Sequence, residues 1–391
     1  MNKNTSLFSI FGIKVQLHIS WWFVFILLSW SLATSFFPEM LPDQTTTTYW
    51  ILGIVSSLLL FVSVLLHELS HSLVARSQNI KVESITLFFF GGVAGISSED
   101  IKPFSEFWMA MAGPLFSIVL GILFYIIHRA DGGLYLTAIS YYLYQLNFTL
   151  AIFNLIPGFP LDGGRAFRAI LHAYYKDLVK ATRIASAVGK ALGIALFILG
   201  LVQVFGGMAA GLWFVLLGGF LYVLAKNSFE QVVVKNVLSR ISVKEFTPVT
   251  LPKVDPNLLF SEFVHKYHSL AKDVFLVEDN SFSGILDTRL IVKMAPQQQS
   301  IIKLKSISVP FHNLKHITKN DNAYTALTLL LAQKIPFIPL QESGNVQHFI
   351  DQNSILHRLN WELKYGLSGK NDVVKKSNVG KVEKVKKTGK L

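Results

Sequence analysis

Apolar residues fill the first 225 positions of the chain in long blocks separated by short polar breaks, and then give way to a mixed polar and apolar pattern. Blocks of this length predict helices that cross a bilayer, which takes about 20 residues at 1.5 Å per residue. Six are read, at about 18–38, 49–75, 104–128, 134–157, 184–205 and 208–225. Between the second and third, the segment from Val82 to Gly95 predicts a β-hairpin or re-entrant piece, with Gly91 and Gly92 at its turn. Non-helical backbone at membrane depth must be covered by protein or line a watery cavity, so this segment is expected beside a site.

From residue 226 to 362 the pattern is that of a soluble domain, and it repeats. Glu278 and Glu342, Asp287 and Asp351, and Ile291 and Ile355 are each 64 positions apart. Each copy reads helix, strand, turn, strand, helix: 258–268, 274–277, 282–286 and 288 onward, then 323–333, 337–340, 346–350 and 353 onward. A pair of α/β modules is expected. Residues 1–17 form a cytoplasmic N-terminal segment in this scheme, 18–225 a six-helix membrane domain, and 363–391 a basic, disordered tail.

Composition agrees with the patterning: 51% of the 391 residues are hydrophobic and 15% charged, too apolar for an ordinary soluble chain. There is no cysteine, so disulfide frameworks and thiolate metal sites are excluded, and any metal must be held by His, Asp or Glu. The net charge of +12 is uneven, because residues 363–391 hold nine lysines against two acidic residues. A solvated tail is the favoured reading and attraction to anionic lipid the lesser one. Nothing beyond charge supports nucleic-acid binding. The N-terminus lacks the marks of a cleaved signal, so the first helix is expected to remain as a span. Six spans leave both termini on one side. The basic stretch Arg165, Arg168, Lys176, Lys180, Arg183 and Lys190 follows the fourth helix, while the loops at 37–46 and 206–207 lack Lys and Arg, so the termini are assigned to the cytoplasm. The expected location is the cytoplasmic membrane of a prokaryote, crossed several times.

The second span carries the candidate chemistry. Its apolar run from Trp50 to Leu66 leads into His67-Glu68-Leu69-Ser70-His71. Residues four apart share a helix face, so His67 and His71 can offer two imidazoles to one zinc ion while Glu68 reaches its water as general base. The orientation puts this motif in the last third of the span, nearer the cytoplasm. A catalytic zinc needs three protein ligands. The fourth helix ends in Asn154-Leu-Ile-Pro157-Gly-Phe-Pro160-Leu-Asp162-Gly163-Gly164, where prolines and glycines break the helix and leave Asp162 at the same membrane depth as the third candidate. General zinc chemistry then implies peptide hydrolysis, with zinc-bound water attacking, Glu68 taking its proton and then protonating the leaving amine. Asn154 is a candidate for bonding the substrate backbone, or equally for a bond between helices. The bland alternative for the whole motif is polar glue between spans. A different class of function, a polytopic metal transporter or a gated channel, would show repeated halves and a file of polar positions, which the membrane part lacks.

The intramembrane His-Glu-x-x-His, the later Asn-x-x-Pro with Leu161-Asp162-Gly163, the intervening Gly-Gly segment and Ala112-Gly113-Pro114 together resemble the site-2 protease family of intramembrane zinc metalloproteases. The resemblance covers residues 1 to about 225. It implies Zn2+ as cofactor, with His67, His71 and Asp162 as ligands, Glu68 as catalytic base and Asn154 as a substrate-binding residue. It also implies single-span membrane proteins as substrates, such as anti-sigma factors or membrane-tethered regulators. The last two helices of the family admit substrate, and Gly206, Gly207, Gly211, Gly218 and Gly219 are expected to pack loosely. The soluble repeat resembles a tandem cystathionine-β-synthase (CBS) domain. Such domains often bind adenine nucleotides through an aspartate on the ribose, but Leu290 and Ser354 stand at the two corresponding positions, in Gly284–Leu290 and His348–Ser354. A structural, dimerising or substrate-sensing role is therefore favoured over nucleotide control, with a homodimer through this domain as an expectation.

Overall fold

The computed structural model describes residues 4–88, 91–96, 101–130, 132–270, 272–293, 301–342 and 345–365. Most of the expected tail, from residue 366 on, lies outside them, as do Phe89 and Phe90. The chain forms two units, Met1–Val232 and Val233–Leu391.

The first unit is built on seven helices: α1 (Ser20–Met40, with a π-helical turn at Leu32–Phe36), α2 (Thr46–Ser77), α3 (Pro103–Arg129), α4 (Leu134–Asn154), α5 (Asp162–Tyr175), α6 (Leu178–Phe205) and α7 (Gly211–Leu238). Among the described residues five are long and apolar enough to cross a membrane: α1, α2, α3, α6 and α7. The fourth expected span, α4, is helical over 21 residues, but its tyrosines, Gln145 and Asn147 dilute its apolar character. Helix α7 runs on to Leu238, past the expected end at 225. Helix α5 forms from the basic stretch after the fourth expected span, to which the sequence assigned no helix; its small residues Gly163, Gly164, Ala166 and Ala169 are buried. The unit is inverted as a lipid-facing protein must be. Phe23, Ile26, Ile51, Val119, Ile126 and Phe205 point outward, while His67, His71, Glu106, Asn147 and Thr182 are buried.

The segment before α1 is two strands. β1 (Asn4–Ile10) and β2 (Ile13–His18) form an antiparallel hairpin, and β2 pairs in parallel with β3 (Val82–Phe88), which pairs antiparallel with β4 (Gly91–Ile96). The expected hairpin is thus half of a four-stranded sheet, and its glycines open β4 instead of forming the turn. Alternation sends Ile13, Leu17, Ile85 and Leu87 inward, where they pack with Leu69 and Ala75 of α2 and Met109 of α3. The sheet therefore braces the end of α2 that holds the His-Glu-x-x-His motif.

The second unit shows the repeat as a fold. In the first copy β5 (Lys253–Val254) runs parallel to β6 (Val274–Glu278), which pairs antiparallel with β7 (Ser283–Asp287) and through it with β8 (Val309–Pro310); helix α8 (Phe260–Tyr267) precedes β6. In the second copy β9 (Ile317–Thr318) runs parallel to β10 (Phe337–Glu342), which pairs antiparallel with β11 (Asn345–Asp351), with helices α9 (Ala323–Gln333) and α10 (Gln352–Tyr365) around them. Asp287 and Asp351 end equivalent strands, as the spacing of the repeat requires. Each copy has its own core, and Leu251, Val274, Leu276, Ile285, Leu314, Ile335 and Phe349, drawn from both copies, form a third cluster between them. Arg289 holds Asp287 through both carboxylate oxygens, at 2.9 and 2.7 Å.

Candidate metal centre

Helix α2 starts cleanly because the Thr45 hydroxyl accepts from the Thr48 N–H, and it then runs unbroken through the motif. Helical spacing puts His67 and His71 on its buried face, 3% and 6% exposed. The Nδ1 of His71 faces the Met109 carbonyl at 2.6 Å, and a carbonyl can only accept. The proton of a neutral His71 therefore sits on Nδ1, and Nε2 presents its lone pair. His67 has Nδ1 against the Ser117 hydroxyl at 2.8 Å, a group that can donate or accept, so this contact orients the ring without fixing its tautomer. Outer contacts of this kind hold the rings of metal-ligating histidines in place.

Asp162, the first residue of α5, completes the group. Its Oδ2 lies 3.2 Å from Nε2 of His67 and 3.2 Å from Nε2 of His71, and the two Nε2 atoms are 3.2 Å apart. Three such ligand atoms gathered at this spacing form a group that could hold a metal ion. The edge of a regular tetrahedron is about 1.63 times its centre-to-corner length, so edges of this size fit bonds of about 2.0 Å, the length zinc makes to imidazole nitrogen and carboxylate oxygen. Asp162 reaches this position because α5 folds back tightly on the turn after α4. A methyl group on Gly164 would fall 2.5 Å from the Gly158 carbonyl oxygen, and one on Gly163 2.6 Å from that of Ile156. The second oxygen of Asp162 faces Arg165 at 4.0 Å.

Glu68 is partly buried next to this triangle, within electrostatic reach of His71, His67, Asp162 and Arg165. Asn154, the last residue of α4, is partly buried and makes no side-chain hydrogen bond among the described residues. His67, His71 and Asp162 are thus brought into one group, with Glu68 beside it, while no contact ties Asn154 to them.

Helix α3 supplies none of the three candidate ligands, yet it orients both imidazoles. Ser117 orients His67, and the Met109 carbonyl orients His71. Gly113 lies between: a methyl group there would fall 2.5 Å from Nε2 of His67 and closer still to Nε2 of His71. That is about zinc-to-nitrogen distance, so the missing side chain leaves the cradle an ion would fill. At the start of α3, the buried Glu106 accepts from Nε of Arg168 on α5 at 2.8 Å, and also from its Nη2. Glu106, Gly113 and Ser117 fall on one stripe of the helix. That stripe of polar and small residues in an apolar helix was visible in the sequence, but its target was not.

Other residues fall into supporting places. Asn147 of α4 donates to Ser63 of α2 at 3.3 Å, a bond between helices, whereas Gln145 bonds Tyr141 within its own helix at 2.9 Å. His18 ends β2 and pairs with Ser20, and His128 packs on Tyr141 and Tyr144. The expected looseness of the last two helices is corrected. Gly193 and Gly218 face each other across α6 and α7, as do Gly200 and Gly211, and a methyl group on Gly218 would fall 2.5 Å from the Gly193 carbonyl oxygen. At these two crossings glycine permits contact of backbone with backbone, which is tight packing. Gly219 has open space beside it.

Known proteins resemble the chain in sequence. The model of peptidase family M50 matches residues 55–133 and 129–199. A protein of Synechocystis sp. named "Putative zinc metalloprotease sll0528" is 32% identical over 91% of this chain and 95% of its own length. Zinc metalloprotease MJ0392 of Methanocaldococcus jannaschii is 34% identical over 68% of this chain and 74% of its own. Among solved structures, the site-2 protease from Methanocaldococcus jannaschii matches with 34% identity over 58% of this chain and 95% of that one, at a TM-score of 0.41. The CBS domain of a bacterial CNNM/CorC family Mg2+ transporter matches with 14% identity over 34% of this chain and 82% of that one, at a TM-score of 0.28.

Proposed function

The chain belongs to peptidase family M50, the site-2 proteases, and is a zinc metalloprotease; from that premise we propose that it cuts peptide bonds in or near the membrane-spanning helix of single-span membrane proteins. The observation that carries this reading is the triangle of His67, His71 and Asp162 with Glu68 beside it, near the end of a helix long and apolar enough to cross a membrane. A site in such surroundings selects substrates that are themselves apolar helices.

His67, His71 and Asp162 would hold the zinc. When bound, zinc acts as a Lewis acid, bringing the pKa of a water molecule down to about 7 and offsetting charge on a polarised carbonyl oxygen. The Glu68 carboxylate takes the proton that the attacking water loses and delivers it to the leaving nitrogen, so one side chain serves as base and then as acid. Asp162 contributes one negative charge to the ligand set and Glu68 a second, which together balance a dication in an apolar setting. Ser117 and the Met109 carbonyl hold both imidazoles with Nε2 toward the ion. The Asn154 amide, which makes no side-chain hydrogen bond among the described residues, is assigned to bond the substrate backbone, which must leave its helix to be cut. The termini and the repeat domain lie in the cytoplasm in this reading, and the repeat senses substrate or joins two copies.

The test is cleavage of a tagged single-span substrate by the purified chain and by Glu68→Gln. The variant is expected to keep its zinc and to lose at least about 100-fold in rate, the usual contribution of a general base. Equal cleavage by both proteins would remove Glu68 from the reaction.

A further inference from the structure

Resting on the assignment of His67, His71 and Asp162 as ligands, we propose that Glu106 and Arg168 form a clamp that positions the third ligand. The pair ties α5 to α3 so that Asp162 meets the two imidazoles of α2. Both residues are positioning residues, and neither touches the ion or the substrate.

The anchoring of α5 carries the argument. Glu106 is 2% exposed, and Arg168 is its hydrogen-bond partner, donating from Nε at 2.8 Å and from Nη2 to the same oxygen. A carboxylate buried to this degree is retained only with a charged partner. Arg168 lies fewer than two helical turns after Asp162, so what holds its guanidinium also sets the height and rotation of the ligand's backbone. Small residues bring α5 close to its neighbours: Gly163, Gly164, Ala166 and Ala169 are buried and Phe167 packs on the cluster of Phe159 and Ala185, while Ile170 and Tyr174 are 54% and 79% exposed. The turn before α5 brings Asp162 to the imidazoles, and the clamp adds a tie from α5 to α3 less than two turns further on, with the Phe159 ring 4.8 Å from the Arg168 guanidinium. A metal ligand tolerates displacement of only about 0.5 Å. The site is therefore assembled from α3 outward, with the His67 and His71 rings set by Ser117 and Met109 and Asp162 set through Glu106.

Co2+ substituted into the full-length protein in detergent tests this, because its visible absorption reports ligand number and geometry. Asp162→Ala provides the reference spectrum for loss of the third ligand. Glu106→Gln and Arg168→Ala are expected to shift the spectrum toward that reference, and to weaken zinc retention against a graded chelator by about 10- to 100-fold. The metal-stripped variants are expected to unfold earlier than the wild type, because each breaks a buried ion pair; a shifted Co2+ spectrum and weakened zinc retention well below the unfolding temperature are what a role confined to holding the fold would not produce. Arg168→Lys keeps the charge without the fork and is expected to recover part of the loss. Wild-type spectra and zinc retention in Glu106→Gln and Arg168→Ala would overturn the clamp. If those variants do not fold, Arg168→Lys decides, and an unchanged spectrum there overturns it equally. An unchanged spectrum in Asp162→Ala would overturn the ligand assignment and the clamp with it.

Discussion

Replacing Gly113 by alanine puts a methyl group where glycine has a hydrogen, at a crowded point against two imidazoles. The new methyl group would fall 2.5 Å from Nε2 of His67 and closer to Nε2 of His71, where a relaxed contact needs about 3.5 Å. The rings cannot swing away without breaking their bonds to Ser117 at 2.8 Å and to the Met109 carbonyl at 2.6 Å. If α3 instead withdraws by about 1 Å, overpacking of this kind costs about 1–3 kcal/mol, and both bonds stretch beyond hydrogen-bond reach. Loss of one such outer partner weakens metal binding by about 10- to 100-fold, so loss of both predicts at least about 100-fold, or about 2.7 kcal/mol. If α3 does not withdraw, the methyl occupies the ion's place. In either case the purified Gly113→Ala protein should carry well under one zinc per chain after dialysis against a chelator that leaves the wild type loaded. Gly219→Ala, with nothing within 4 Å of the added carbon, is the control and should keep its zinc. A Gly113→Ala protein that holds zinc as firmly as the wild type would refute the placement of the ion between the imidazoles and α3.

Ser117→Ala removes one outer contact and leaves the other, so zinc affinity should fall by about 10- to 100-fold, measured by competition with a chelator. Gly218→Val drives a branched side chain into the Gly193 carbonyl, and the thermal midpoint of the protein in detergent should drop while Gly219→Ala stays near wild type. Phe349→Ala empties the centre of the cluster shared by the two repeat copies, which should cost the second unit about 3–5 kcal/mol, read as earlier denaturant unfolding or as protease sensitivity confined to residues after Val233.

The parts of the molecule that follow from local spacing were legible in the chain. The long apolar blocks located five helices able to cross a membrane and a sixth, α4, that is less apolar, the four-residue spacing of His67 and His71 put two candidate ligands on one helix face, and the 64-residue offset located the two repeat copies. Asp162 was legible as a candidate because Pro157, Gly158 and Pro160 end the helix after Asn154 and leave a carboxylate close behind. Helix α5 was not: its glycines and basic residues were assigned no helix, and its burial depends on the small residues meeting the turn before it. The loose packing expected at Gly211 and Gly218 was wrong because glycine marks either freedom or close approach, and only the neighbouring helix decides which.

By itself, then, the sequence determined the apolar setting and the metal chemistry and marked His67, His71 and Asp162 as candidate ligands, because composition and short motifs carry these. The tertiary structure decided how the ligands are held. His67 meets Ser117 across 50 positions and Asp162 across 95, separations that no local pattern encodes. His71 is oriented by a backbone carbonyl, which every residue possesses and no letter distinguishes. The helix that orders the site, α3, contributes none of the three candidate ligands, and its role exists only in the way its polar and small stripe faces α2 and α5.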